Sequence, residues 1–432
     1  MAENEDAVKN IGDVVKAGLC CGCGTCQALC PKNAVTLSES KEAGVYVPAI
    51  DQYNCSNCGI CKDVCPGREV DFLELERAAF GRSPTNNLLG ARLGCYSGYS
   101  SDQKVRYSSA SGGMVTSLLL FALREKLIDG ALVVKAGEGD PLRPFSFIAR
   151  TEEEIIASHA SRYCPVPVNL SLKEILKNEG RYAVVGLPCH IAGVRMAEQM
   201  NKKLKEKIKY HFCLVCNHTP TFRATDFLLK KLKVEPKEIR EVSYRGQGWP
   251  GGCLVKCRNQ KEYFIKLGSF YYWGLIFQKL FWPRRCFLCN DKIGRLGDIS
   301  FMDPHLPEYY QNEKIGASLM ITRSSIADEL LAEAMHAGVI ETSLIEEEKI
   351  ITAQSLSEII RRNAARRRLF LAFKQKVPSY NGTVDGEMQF GQLALASFDF
   401  LLVWLSERSY FPANVICGLY NLYKFLYKRH KD

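Results

Sequence analysis

With 432 residues, 47% of them hydrophobic, the chain is long enough for about two to four domains with substantial cores. No uninterrupted apolar run of about 18 residues occurs, so no membrane span is expected, and residues 1–13 are polar and acidic, so no secretory signal is expected. The 19 cysteines are therefore expected in a reducing, cytoplasmic setting as metal ligands or redox groups, and the net charge of +10 fits a soluble basic protein or one drawn to acidic partners or phosphorylated cofactors.

One cysteine motif occurs twice near the start. The copies are Cys20-x-x-Cys23-x-x-Cys26-x-x-x-Cys30-Pro31 and Cys55-x-x-Cys58-x-x-Cys61-x-x-x-Cys65-Pro66. This is the bacterial ferredoxin spacing, in which three close thiolates hold one 4Fe–4S cluster and the fourth ligates the other. Cys20, Cys23, Cys26 and Cys65 are expected on one cluster. Cys55, Cys58, Cys61 and Cys30 are expected on the second. Two-residue gaps let one tight loop wrap three irons, and Gly22, Gly24 and Gly59 suit the backbone angles of such loops. The competing reading is a pair of zinc sites, which need two Cys-x-x-Cys knuckles but no regular run of four closed by proline. Cys21 falls outside the spacing and reads as a bystander. The clusters argue for a low-oxygen, anaerobic setting.

Between the motifs, Val35–Leu37 and Val45–Ile50 flank a turn at Gly44 and predict a β-hairpin. A helix is expected over Leu73–Phe80, and residues 81–93 have linker composition. Then come a strand at Cys95–Tyr99, a turn at Ser109–Gly113, a helix over Met114–Lys126 and a strand over Ile128–Lys135, the grammar of an α/β unit. Ser111-Gly112-Gly113 opens that helix and offers free N–H groups to a phosphate or an electron-rich ring edge. The alternative is a plain N-cap with glycines for packing.

Strands are expected at Tyr182–Gly186 and Lys209–Phe212, ending near Cys189 and Cys213. Cys286-x-x-Cys289 follows, then Asp298 and Asp303. Ligand sites collect beyond the carboxyl ends of strands in α/β folds. Cys189, Cys213, Cys286 and Cys289 are thus a candidate third 4Fe–4S site, against two buried cysteines and a zinc half-site. A helix over Gln354–Lys376 carries Arg361, Arg362, Arg366, Arg367 and Arg368, read as a solvated face or a contact for an anionic cofactor or partner. Leu393–Leu405 is apolar but too short to span a membrane. Tyr420–Lys431 mixes aromatic and basic residues, for which core packing or homo-oligomerisation is set against lying on a membrane surface. No Gly-x-Gly-x-x-Gly and no P-loop occur, and beyond net charge nothing points to nucleic acid.

The order of further motifs resembles the coenzyme F-420 hydrogenase/dehydrogenase beta-subunit family, with a ferredoxin module fused at the N-terminus. The matching stretches are Ser111–Thr116, Leu127–Ala131, Ser161–Val166, Val185–Cys189, Gly246–Gly251 with Trp249-Pro250, Arg285–Cys289 and Asp298–Glu308. The resemblance implies a non-Rossmann FAD site at Ser111, Gly112, Gly113 and Thr116. It also implies a nearby 4Fe–4S cluster on Cys189, Cys213, Cys286 and Cys289. Relatives carry Gln after the Pro-Cys where this chain has His190, and Cys216, Cys253 and Cys257 add thiols to choose among.

The expected fold is α+β and α/β: a bacterial-type two-cluster ferredoxin fold (1–80), an α/β unit with the flavin site (90–180), its continuation with the third cluster and flavin or substrate site (181–345), and a mostly helical basic tail (346–432). The expected function is that of an iron–sulfur flavoprotein oxidoreductase. Flavin would exchange hydride with coenzyme F-420 or another small molecule, and the clusters would exchange single electrons with a ferredoxin-like protein or complex subunit. His190 is the candidate for a proton or a hydrogen bond to cluster sulfur, set against a structural role. The alternative function is a non-catalytic electron-transfer subunit of a larger redox complex.

Overall fold

The computed structural model describes residues 10–84 and 86–383 and parts of 397–418. The apolar segment 393–405 lies only partly within the described residues, and 420–431 lies outside them. The ferredoxin unit contains the expected hairpin, β1 (Val35–Ser40) and β2 (Val45–Ile50), with Val35 opposite Ile50. Each cysteine loop enters a one-turn helix, Thr25–Ala28 or Ile60–Asp63, through a left-handed glycine, Gly24 at φ +91° and Gly59 at φ +80°. Next, β3 (Glu69–Asp71) leads into helix Phe72–Phe80, where the Asp71 side chain accepts from the Glu74 N–H as N-cap.

The following strands are β4 (Gly94–Ser100), β5 (Gly130–Lys135), β6 (Phe145–Ala149), β7 (Tyr182–Gly186), β8 (Ile208–Leu214), β9 (Ile239–Ser243), β10 (Gly252–Cys257), β11 (Glu262–Lys266), β12 (Ile299–Met302), β13 (Ser318–Thr322), β14 (Ile340–Leu344) and β15 (Ser379–Asn381). Eight of them form one mixed sheet in the order β14-β4-β13-β12-β8-β7-β5-β6. Its centre, β5, β7, β8 and β12, is parallel. Strands from either side of residue 180 are neighbours in this sheet, since β5 pairs with β7.

The sequence of β7 explains its central place. Tyr-Ala-Val-Val-Gly is an unbroken apolar run, as expected for a strand covered on both faces. Ala183 enters one core with helices Met114–Arg124 and Ser325–His336, while Tyr182 and Val184 enter another with helix Pro188–Met200. Because β7, β8 and β12 run parallel, their carboxyl ends open at one edge. Cys189, Cys216 and Asp303 follow those strand ends.

A smaller antiparallel sheet, β11-β10-β9, packs with helix Phe222–Leu232 around its own core. The Arg-rich helix spans Leu356–Ala372. Arg361 and Arg368 on it are exposed, but Arg366 is buried over the Phe287 ring at 4.1 Å, so this face serves packing as well as solvent. The chain then returns to the ferredoxin unit, where β15 pairs in parallel with β3. Among the described residues no helix is long and apolar enough to cross a membrane.

Candidate functional site

The thiols fall into three sets. Cys30, Cys55, Cys58 and Cys61 line one cavity, the four residues expected for the second ferredoxin cluster. Cys58 is exposed, so this set lies at the surface. Cys26 is within electrostatic reach of Cys23, Cys20 and Cys65, the first expected set. Its Cys20–Cys26 loop already places hydrogen bonds around sulfur: Gly22 N–H donates to Cys20 Sγ at 3.3 Å, and the Thr25 hydroxyl lies beside Cys23 Sγ at 3.2 Å. Burial pushes Cys23 up to about 11 and Cys65 up to about 12, so protons stay on these thiols until a metal displaces them.

Around the third expected set the structure brings a further thiol, Cys216. Cys216 faces Cys286 and Cys289, and Cys189 faces Cys216. Thr219 ties the group together, its side chain hydrogen-bonded to Cys216 and its backbone to Cys286. Cys213 instead lies within β8, fully buried in the core with Tyr182 and Val184. A Cβ on Gly294 would fall 2.2 Å from its sulfur. The physical reason is strand length: β8 continues to Leu214, so residue 213 still points into the sheet's core. Only at Val215–Cys216 has the chain turned out beyond the carboxyl edge.

Cys253 and Cys257 are buried in the smaller sheet's core. Cys21, outside the ferredoxin spacing, has neighbours in the third set. Its side chain is hydrogen-bonded to Cys189 and lies against Arg285. No three His, Cys, Asp or Glu side chains converge on a single metal-ion position among the described residues. A cubane asks for something else, thiolates spread over separate corners of a box. Cys189, Cys216, Cys286 and Cys289 are all half-buried yet enclosed by protein, and their donor chemistry fits such a group.

Two cations accompany this set. Arg285 is buried and donates to the Pro66 carbonyl at 2.9 Å, joining the central set to the Cys-Pro of the ferredoxin unit. Lys292 lies near Cys216, and burial lowers its ammonium to about 8. Both are placed to offset the negative charge that a thiolate-bound cluster would carry here.

Lys292 also donates to the Gln354 carbonyl at 2.6 Å, and Gln354 Nε2 donates to the Asp303 carbonyl at 2.8 Å. This leads to a polar centre that the sequence reading did not single out. Arg245, 1% exposed, donates to Asp303 Oδ2 at 2.9 Å, Tyr163 OH at 3.1 Å and the Ala110 carbonyl at 2.5 Å. Trp249 Nε1 reaches Asp303 Oδ1 at 3.3 Å, and its ring packs on Tyr310 with centroids 4.8 Å apart. Burial alone would raise the Asp303 carboxyl, but the Arg245 and His305 charges hold it below its usual range. Stretches 109–116, 161–166, 246–251 and 298–308, far apart in sequence, thus meet here. The signal for Arg245 was its place directly before Gly246–Gly251.

Ser109 Oγ, Arg162 Nε and Arg245 Nε are buried around these stretches without a hydrogen-bond partner among the described residues. Such orphaned groups fit a polar ligand rich in acceptors, as FAD is.

The expected flavin residues lie beside this centre. Ser111 Oγ donates to the Ala317 carbonyl at 2.5 Å, and Gly112 N–H donates to Ser318 Oγ at 2.9 Å. A Cβ on Gly112 would meet Gly98 O and Ser318 N at 2.7 Å, so close backbone approach alone demands that glycine. Gly113, at φ +78°, is the N-cap of helix Met114–Arg124, and Thr116 is buried in its first turn. His190 Nδ1 accepts from the Leu187 N–H at 3.2 Å, and burial lowers the ring to about 4, which keeps it neutral.

The fold and the cysteine sets define an iron–sulfur redox protein with a fused ferredoxin module. Residues 19–68 match the 4Fe-4S dicluster domain, 95–173 the N-terminal part of the coenzyme F-420 hydrogenase/dehydrogenase beta subunit, and 179–348 its C-terminal part. The chain belongs to the coenzyme F-420 hydrogenase/dehydrogenase beta-subunit family. It is 27% identical over 270 residues to the coenzyme F-420 hydrogenase subunit beta of Methanothermobacter thermautotrophicus, covering 61% of this chain and 88% of that protein. It is 25% identical over 274 residues to the coenzyme F-420-dependent sulfite reductase of Methanocaldococcus jannaschii, covering 59% of this chain and 39% of that one. A chain from the F-420-reducing [NiFe] hydrogenase complex of Methanosarcina barkeri shares the fold, with a TM-score of 0.53 at 21% identity over 68% of this chain and 97% of that one.

Proposed function

We propose that this chain is an iron–sulfur flavoprotein oxidoreductase that relays single electrons through three 4Fe–4S clusters to FAD, with hydride exchanged with coenzyme F-420 or a related organic molecule. The central cluster would be held by Cys189, Cys216, Cys286 and Cys289. The observation that carries the reading is continuity. The exposed Cys58 set adjoins the buried Cys20 set, Cys21 touches Cys189, and Lys292 and Gln354 connect Cys216 to the Asp303–Arg245 centre.

FAD, when bound, converts between hydride and single-electron chemistry. The chain's own residues supply the rest. Arg245 fixes the Asp303 carboxylate by a two-point contact, Trp249 and Tyr310 form an aromatic wall beside it, and the orphaned Ser109, Arg162 and Arg245 donors await acceptors. The relatives' names support F-420 as the organic partner and a multi-subunit complex as the electron partner.

Anaerobic purification with iron, sulfide and flavin measured per chain tests the reading. About twelve irons and one FAD are expected. About eight irons without flavin would leave only the ferredoxin unit standing. A second reading, an electron-transfer subunit with no turnover of its own, draws on the exposed Cys58 as a contact for another subunit. Oxidation of reduced F-420 by the isolated chain with an artificial acceptor would decide against it.

A further inference from the structure

Residues 397–401 and 403–405 are helical, and one side of them holds to the protein. Val403 is buried in one core with Phe287 and Phe370. Phe400 packs edge-on to Phe370 with centroids 5.1 Å apart, and Asp399 Oδ2 accepts from Arg366 Nη2 at 2.5 Å. The other side is apolar yet turned to solvent. Phe398, Leu401 and Trp404 follow at three-residue spacing, which sets them along one face, and they are 58%, 50% and 39% exposed. Arg408 lies over the Trp404 ring at 3.8 Å and adds a cation to that face.

The end of the Arg-rich helix continues the exposure. Leu371 and Phe373 are 55% and 69% exposed, one and three residues beyond the Phe370 that holds Phe400. Lys374 beside them is exposed. Gln375 Oε1 accepts from Arg284 Nη2 at 3.1 Å, and that guanidinium sits over the Phe370 ring at 4.8 Å. Single exposed apolar side chains need no explanation, but these gather around one contact and are rimmed by cations.

The sequence that follows carries the same chemistry. From Arg408 to Lys431 it holds five cations, Arg408, Lys424, Lys428, Arg429 and Lys431, and no acid. Tyr420, Tyr423, Phe425 and Tyr427 are interleaved with them. Tryptophan and tyrosine favour the boundary between hydrocarbon and water, and lysine and arginine favour anionic head groups. A second copy of this chain seated on the face would bring like charges together, which disfavours self-association. An aromatic face with cations of one sign instead suits a fluid anionic layer.

We propose that the face of Phe398, Leu401 and Trp404, with Leu371 and Phe373 beside it, is a peripheral attachment site for an anionic lipid surface. The apolar side chains would enter the head-group region, and Arg408 and Lys374 would meet lipid phosphates. Attachment of this kind needs no span, and among the described residues no helix is long and apolar enough to form one. The proposal stands apart from the redox reading and shares no residue with the thiol sets or the Asp303–Arg245 centre.

The test uses the full chain, purified anaerobically, and co-sedimentation with vesicles of phosphatidylcholine alone or of phosphatidylcholine mixed with phosphatidylglycerol. Binding is expected on the anionic vesicles and should weaken at high salt. Leu401→Asp and Trp404→Ser, both at exposed positions, are each expected to weaken it about tenfold, with iron content and urea midpoint as in the wild type. Arg408→Glu is expected to weaken it at low salt and to matter less at high salt.

A wild type that stays in solution beside the anionic vesicles overturns the proposal. So does equal binding by wild type, Leu401→Asp and Trp404→Ser, which would put the attachment elsewhere on the basic surface. A wild type of twice the monomer mass that Leu401→Asp returns to monomer would make the face an interface between copies, and overturns the proposal as well.

Discussion

Glu76 and Arg295 form a two-point ion pair with both side chains buried, Oε1 to Nε at 2.7 Å and Oε2 to Nη2 at 3.0 Å. Glu76 is on the last helix of the ferredoxin unit, and Arg295 follows the loop that carries Cys286 and Cys289. The pair, the Arg285–Pro66 contact and the β3–β15 pairing hold the electron-carrying unit against the sheet. Glu76→Ala would leave a guanidinium buried without its carboxylate, a cost of about 3–5 kcal/mol. We expect a clear fall in the urea midpoint of the anaerobic protein. A midpoint equal to wild type would show that the pair does not hold the units together.

Cys213 and Cys216 are expected to behave oppositely. Cys216→Ala should reduce iron from about twelve to about eight per chain, whereas Cys213→Ala should leave it at about twelve. The second variant creates only a small buried cavity. Iron analysis distinguishes the two, and the reverse pattern would restore Cys213 as the ligand.

A buried network beneath the same edge gives a pH dependence. His211 Nδ1 lies 2.9 Å from Asp298 Oδ2, His211 Nε2 lies 2.7 Å from Glu198 Oε1, and Arg195 reaches both carboxylates at 3.2 Å. Burial and the Arg195 charge push the imidazole down, but Glu198 and Asp298 overcome them and raise it above its ordinary value. A group raised on folding contributes fully below its unfolded pKa of about 6.5 and loses that contribution as pH rises through the folded value. Burial would raise Asp298, but Arg195 and His211 overcome it and hold the carboxyl far down. Its contribution is present above about 3.9 and is lost only in acid. Stability should therefore decline from about pH 6.5 upward. His211→Gln should flatten that decline, as read from urea midpoints across the range.

Gly112→Ala separates packing from ligand binding at the helix start. The added methyl would press on Gly98 O and Ser318 N, at a cost of about 1–3 kcal/mol, with or without flavin. The thermal midpoint of the flavin-free protein is expected to fall. Were it unchanged while flavin content fell, the glycine would be reserved for the ligand.

Asp303→Asn should lower flavin content and organic-substrate turnover, because Arg245 loses the charge that fixes its position. Iron content should stay at about twelve, since Asp303 belongs to no thiol set. Loss of iron together with flavin would place Asp303 in the support of the central cluster.

Local pattern carried much of this protein. The doubled cysteine motif marked the ferredoxin unit because cluster loops need ligands a fixed few residues apart. The apolar run Tyr182–Gly186 marked a buried strand with the bounds that β7 has. The hairpin of β1 and β2 and the helix from Met114 followed equally local signals. Each depends on neighbours in sequence, where spacing and turn chemistry act directly.

What sequence left open depends on where strands end and which way they run. Cys213 and Cys216 differ by three positions, yet one points into a core and the other beyond the sheet edge. Only the length of β8 decides between them. Cys21 lies outside the ferredoxin spacing, and helix Pro188–Met200 brings Cys189 against it. Arg245 and Asp303 meet because β12 delivers Asp303 to the edge where the turn after β9 passes. Thiols and charged groups separated by scores of residues are brought together by parallel strand order and docking, and no local rule encodes that.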